Sequence, residues 1–138
     1  MKDELLVDTN ILVYAEDKRS EFHERSNRLL FHSDYELITT SKNISEFLSV
    51  VTTLKHNPLP INEALEEVEK IKQNFTIFYP TEYTFAVFQN LLIKYQPKGL
   101  IIHDYEIASI GIANGVTKIA TVNTKDFFTI EEISLITL

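Results

Sequence analysis

Asp8, Glu46, Asp104 and Asp126 each stand at or near a place where an apolar run meets polar residues. Carboxylates in such positions are the side chains that hold hard divalent cations. Asp8 follows Leu5-Leu6-Val7 and precedes Thr9 and Asn10; Asp126 lies just beyond the apolar run 118–122, in Thr-Val-Asn-Thr-Lys-Asp-Phe. Asp104 opens one helical pattern, and Glu46 lies near the start of another. Several carboxylates brought within a few ångströms raise one another's pKa unless cations neutralise them, so a clustered set implies metal. With no cysteine and no paired-histidine motif, the oxygen donors favour Mg²⁺ or Mn²⁺ over zinc. Such ions suit phosphodiester hydrolysis: they lower the pKa of a water, orient the scissile phosphate and stabilise the attacking and leaving oxygens.

Each acid also has a plainer use. Asp104 could cap a helix over 105–114, and Glu46 could close a capping-box-like pair with Asn43. Asp8 could form an Asx turn or cap the helix that follows it. Asp126 could be a turn acid ahead of Phe127 and Phe128, which both read as core. Asn10, Thr121 and Asn123 are placed to orient carboxylates or waters, or simply to finish strand-end hydrogen bonding. His103, beside Asp104, is in reach of a phosphate; otherwise it is structural, like His23, His32 and His56. The three glycines form no phosphate loop, and no Gly-x-Ser-x-Gly elbow is present, which excludes P-loop nucleotide hydrolysis and serine-hydrolase chemistry.

The 138 residues, 44% hydrophobic, suffice for one domain spanning 1–138 with a core that needs no disulfide. The Met-Lys-Asp-Glu start and the lack of a long apolar run predict neither signal peptide nor membrane span, hence a cytoplasmic protein. A formal charge of -7 excludes a general basic surface for nucleic acid. A polyanionic substrate must be met locally, by bound cations or by a small rim drawn from Lys18, Arg19, Lys42, Lys55, Lys98 and Lys125.

These side chains need a scaffold. Apolar runs rich in β-branched residues alternate with segments of helical period, the pattern of an α/β domain with a mostly parallel sheet. Strands are expected over 5–7, 36–39, 75–79, 118–122 and 134–137. Helices are expected over 22–32, along the stripe Ile44, Phe47, Leu48 and Val51, and from about Asn62 with Ile61, Leu65, Val68 and Ile71 inward. Two more follow: one with Phe85, Phe88, Leu92 and Tyr95 that stops before Pro97-Lys98-Gly99, and one with Ile107, Ile110, Gly111 and Asn114 that ends at Gly115. Glu66 and Lys70 stand at i, i+4 on a charged, solvated face. In an open parallel sheet the ligand site lies beyond the carboxyl ends of the strands where strand order reverses, and Asp8 occupies that kind of position.

Val7-Asp8-Thr9-Asn10, the helix with Glu46, His103-Asp104-Tyr105-Glu106-Ile107-Ala108 leading to Gly115, and Thr121-Val122-Asn123-Thr124-Lys125-Asp126-Phe127 follow in an order and spacing that resemble the PIN-domain ribonucleases, the group of VapC-type toxins. The resemblance covers essentially the whole chain. It implies a three-layer fold with a parallel five-stranded sheet flanked by helices, and Mg²⁺- or Mn²⁺-dependent endoribonuclease activity through a metal-activated water. It further implies Asp8, Glu46 and Asp104 as core acids, with a fourth at the position of Asn123 or of Asp126; here only Asp126 is acidic. Many such toxins are homodimers silenced by a small antitoxin. Phe85, Phe88 and Tyr95 would serve either a dimer face or the core. Two readings compete. A haloacid-dehalogenase-like phosphatase would place a second Asp where Asn10 stands. A non-catalytic PIN-like module would hold RNA or protein with a decayed site.

Overall fold

Each of the five apolar runs forms a strand in the computed structural model, which describes residues 2–138: β1 Glu4–Val7, β2 Glu36–Thr40, β3 Thr76–Phe78, β4 Lys118–Ala120 and β5 Ser134–Ile136. Among the described residues, seven α-helices lie between them. They are α1 Thr9–Glu16, α2 His23–Phe31, α3 Ser41–Val51, α4 Ile61–Asn74, α5 Glu82–Tyr95, α6 Ile102–Ala113 and α7 Thr124–Phe127. A single 3₁₀ turn, Gly99–Ile101, leads into α6.

The sheet order is β3-β2-β1-β4-β5 and every pairing is parallel. The chain therefore leaves β1 toward β2 and β3, then returns to the other side of β1 for β4 and β5. Strand order reverses at β1, so the crevice beyond its carboxyl end is open to helices from both directions.

Burial on both faces explains why β1 reads as continuous Leu5-Leu6-Val7 rather than as an alternation. Leu5 and Val7 join a core with Ile11 and Leu12 of α1, Leu30 of α2, Phe47 and Val51 of α3, and Ala64 and Val68 of α4. Leu6 points the other way, into a core with Leu91 of α5 and Tyr105, Ile107 and Ala108 of α6. The result is three layers, helices on either side of a sheet. No helix among the described residues is long and apolar enough to cross a membrane.

Several sequence expectations are corrected. The inward face of α4 is carried by Ala64 and Val68; Ile61 and Leu65 are exposed, since the small Ala64 is the residue the neighbouring layer accepts. On α5, Thr84 and Leu91 are buried and Phe85 is 56% exposed, while Phe88, Leu92 and Tyr95 rest half-buried on the second core. Phe127 is fully buried, but Phe128 is 70% exposed, because α7 turns successive side chains to different sides. Lys70 pairs with Glu67 at 2.9 Å rather than with Glu66. Neither α1 nor α7 was expected as a helix from periodicity.

Candidate active site

Asp8 lies at the tip of β1, its backbone N–H still donating to the Ala120 carbonyl of β4 at 2.9 Å. It is at once the N-cap of α1 and the centre of a hydrogen-bond network. Oδ1 accepts from the Thr9 N–H (2.9 Å) and from Asn43 Nδ2 (3.3 Å); Oδ2 accepts from Thr121 Oγ1 (2.8 Å) and Asn10 Nδ2 (3.2 Å). The capping role and the site role are therefore not alternatives. Burial pushes the Asp8 carboxyl above its ordinary range, the bonds from Thr121 and Thr9 oppose that push, and the charges of Glu46 and Asp126 add to it.

Glu46 reaches this network from α3. Its Oε2 accepts from Thr9 Oγ1 at 3.1 Å, and Asn43 Nδ2 donates to the same hydroxyl at 3.0 Å. The N-cap of α3 is Thr40, whose Oγ1 accepts from the Asn43 N–H and donates to Asn43 Oδ1 at 2.6 Å. A capping box between Asn43 and Glu46 is thus excluded, since Asn43 lies inside the first turn. Asp104 is likewise no cap; it sits in the first turn of α6, whose N-cap is Ile101. Burial, and then the charges of Asp8, Asp126 and Glu46, push the Asp104 carboxyl up to about 7. Asp126 lies within α7 and faces the same cleft.

Two adjoining cavities share Glu46, Asp104 and Asn123. One, of about 370 Å³, adds Asp8, Asn10 and an apolar wall from Val13, Tyr14, Val50 and Leu54. The other, of about 530 Å³, adds Asp126, Lys42 and His103. Lys42 is held by Glu106 Oε1 at 3.0 Å and lies 3.4 Å from His103 Nδ1. Asn10 Nδ2 donates to Thr121 Oγ1 at 3.2 Å, and the Asn123 N–H donates to the same hydroxyl at 3.0 Å. From sequence, Asn43 has only a capping role, and Thr9 and Glu106 have none of their own at the site; their contacts here join distant parts of the chain.

The matching family model, described as PIN domain, spans residues 5–132. The chain belongs to the PIN-domain family. The fold of this PIN domain is that of solved toxin structures. VapBC2 from Rickettsia felis, bound to a DNA fragment from its promoter, is 20% identical with a TM-score of 0.71, covering 96% of this chain and 97% of that one. VapC20 from Mycobacterium tuberculosis, described as a Sarcin-Ricin loop cleaving toxin, is 9% identical with a TM-score of 0.72, covering 91% and 95%. VapBC-1 from nontypeable Haemophilus influenzae is 21% identical with a TM-score of 0.66, covering 96% of each chain. No curated protein sequence is significantly similar to the chain.

Oxygen-only donors fit Mg²⁺ or Mn²⁺ chemically. Among the described residues, no Lys or Arg forms an ion pair with Asp8, Glu46, Asp104 or Asp126, and Lys42 is engaged by Glu106. Among the described residues, no three acidic or histidine side chains stand close enough to grip one ion directly. A cation seated among the four acids would keep part of its water shell, as Mg²⁺ characteristically does.

Proposed function

We propose that this PIN domain, acting as one unit over 1–138, hydrolyses RNA phosphodiester bonds as a Mg²⁺- or Mn²⁺-dependent endoribonuclease. The observation that carries the reading is a set of four carboxylates from four separate elements lining two adjoining cavities at the sheet's switch point, where burial and then the other three charges raise the Asp104 carboxyl. Asp8, Glu46 and Asp104 would hold the cation in part through its water shell, and Asp126 would complete the set as a ligand or as the acid that orients water. When bound, the cation supplies the charge that offsets the phosphate and lowers the pKa of water. The residues of the chain do the rest. Thr121, Asn10 and Asn43 fix both oxygens of Asp8, and Thr9 fixes Glu46. Asn123 offers an amide oxygen without charge at the rim.

The solved relatives include toxin–antitoxin complexes, which supports a second part of the proposal: the chain is the toxin of such a pair, cytoplasmic, homodimeric and silenced by a small antitoxin. A phosphatase reading loses its support because Asn10, at the place a second acid would need, spends its amide on Asp8, Thr121 and the Val122 N–H.

The test is Mn²⁺-dependent cleavage of a panel of structured and single-stranded RNAs by the wild-type chain, Asp8→Asn and Asp104→Asn. Both variants are expected to lose about 100-fold or more in rate, as when a charge-stabilising group is removed. Chelator should abolish wild-type cleavage. No cleavage of any RNA together with no Mn²⁺ binding by calorimetry would favour the non-catalytic module.

A further inference from the structure

The fourth acid of the cleft is carried by the shortest helix of the fold. Asp126 lies on α7, which has four residues and no side-chain cap. So short a helix does not hold itself together in water, because the entropy lost in fixing its first turn exceeds what its few hydrogen bonds gain. The place of Asp126 is therefore set by whatever holds the two ends of α7. At the N-terminal end the Asn123 N–H is bonded to Thr121 Oγ1, the hydroxyl that also donates to Asp8. At the C-terminal end Phe127 and Ile130 are buried in the core that contains Tyr105.

Two tyrosines complete that second anchor. Tyr105 is 2% exposed, and its hydroxyl is hydrogen-bonded to Thr129 Oγ1 at 2.9 Å, just beyond the end of α7. Tyr105 immediately follows Asp104 in α6, so this bond ties the helix bearing one acid to the segment bearing another. The Tyr95 ring of α5 packs edge-on against that of Tyr105, with centroids 5.9 Å apart. Its hydroxyl accepts from the Glu131 N–H at 3.0 Å and donates to Glu132 Oε1. Neither Tyr105 nor Thr129 lines the cavities that the acids face, so their contribution is not contact with a ligand. A buried tyrosine hydroxyl needs a partner; that it finds one in the chain leaving α7 is what couples the two helices. Resting on the nuclease reading, we infer that Tyr105 and Thr129 are positioning residues for the metal site: their hydrogen bond fixes α7 against α6 and thereby sets where Asp126 stands relative to Asp104.

The test is Mn²⁺ affinity by calorimetry, with thermal melts and Mn²⁺-dependent RNA cleavage in parallel. It compares the wild-type chain with Tyr105→Phe, Thr129→Val, Thr129→Ser, Asp126→Asn and the Tyr105→Phe/Asp126→Asn double variant. Tyr105→Phe removes a single oxygen and Thr129 is exposed, so changes at both positions should leave a folded protein. Tyr105→Phe and Thr129→Val should each weaken Mn²⁺ binding about tenfold, the lower end of what outer partners of a metal site are worth. Thr129→Ser keeps the hydroxyl and should bind as the wild-type chain does. In the Asp126→Asn background Tyr105→Phe should change affinity by less than about twofold, because the acid it places is gone. A merely structural role would weaken binding by the same factor in both backgrounds, and that result overturns the inference. So does wild-type affinity in Tyr105→Phe or Thr129→Val, or a tenfold loss in Thr129→Ser; Mn²⁺-dependent cleavage by the wild-type chain then leaves the nuclease reading standing. A wild-type chain that neither binds Mn²⁺ nor cleaves RNA overturns both.

Discussion

Asp8 shows how one residue can be structural and chemical together. Its two oxygens accept four hydrogen bonds from three different parts of the chain, and the same carboxylate caps α1. Thr121 is the partner that does most to hold it, since its hydroxyl is fully buried, donates to Asp8, and accepts from Asn10 and from the Asn123 N–H. Thr121→Val keeps the shape and removes the hydroxyl. The substitution leaves two donors without their acceptor and Asp8 Oδ2 with a single partner. We expect it to cost about 1–3 kcal/mol of stability and to weaken Mn²⁺ binding about tenfold by freeing the Asp8 carboxylate to rotate. Thermal melts and calorimetric Mn²⁺ titration measure the two effects separately. A variant with unchanged melting temperature and unchanged Mn²⁺ affinity would show that Asp8 does not depend on this support.

At the scale of elements, the site depends on how closely α6 approaches the sheet. A Cβ added at Gly111 would lie 2.9 Å from the Val116 carbonyl oxygen and 3.0 Å from Leu6 Cδ1, so glycine is what allows the helix bearing Asp104 to rest against β1. Gly111→Ala is expected to destabilise by about 1–3 kcal/mol through overpacking. Because the helix must lift, cleavage should fall even well below the variant's melting temperature; wild-type rates there would mean that the separation of Asp104 from Asp8 is uncritical. The five strands were legible because central parallel strands are apolar on both faces and the runs are bounded by polar residues. α1 was not, since Thr9, Ile11, Leu12 and Val13 are all buried and leave no clean polar face to show a helical period. α7, with four residues, is too short to show one. On α4 and α5 only Ile61, Leu65 and Phe85 of the apolar stripes face outward, because small Ala64 and polar Thr84 take the inward places beside them. Of the four acids, Asp8 stands at a strand end and Asp104 in the first turn of its helix, where the sequence shows such boundaries, whereas Glu46 lies in the second turn of α3. The contacts of Thr9 and Asn43 were not legible, because they join residues 34 to 37 positions apart and no local pattern encodes them.

For the whole molecule, the acidic cleft is a stability cost that a bound cation would relieve. The chain already carries a formal charge of -7, and folding gathers three further carboxylates, Asp8, Glu46 and Asp126, around Asp104. Asp104 has an ordinary value of 3.8 and is raised to about 7 in the folded state, so between those limits the native protein holds a proton that the unfolded chain has released. Stability from this group is therefore fully present below pH 3.8 and is lost as pH rises through about 7. Asp8, raised as well, acts in the same direction. Solvent access to the half-buried Asp104 reduces the size of the effect but not its sign. Glu16, which burial and then the neighbouring Glu67 push up to about 7, acts over the same range. Metal-free protein is expected to melt at a lower temperature at about pH 8 than at about pH 5, and Asp104→Asn should remove part of that difference because its amide does not titrate. Mn²⁺ at about 100 times its dissociation constant should restore about 2.7 kcal/mol at the higher pH, by binding the folded state alone. Differential scanning calorimetry at the two pH values, with chelator and with Mn²⁺, measures all three effects. A metal-free melting temperature that rises between those pH values would contradict the account, as would a variant with the same pH dependence as the wild-type chain.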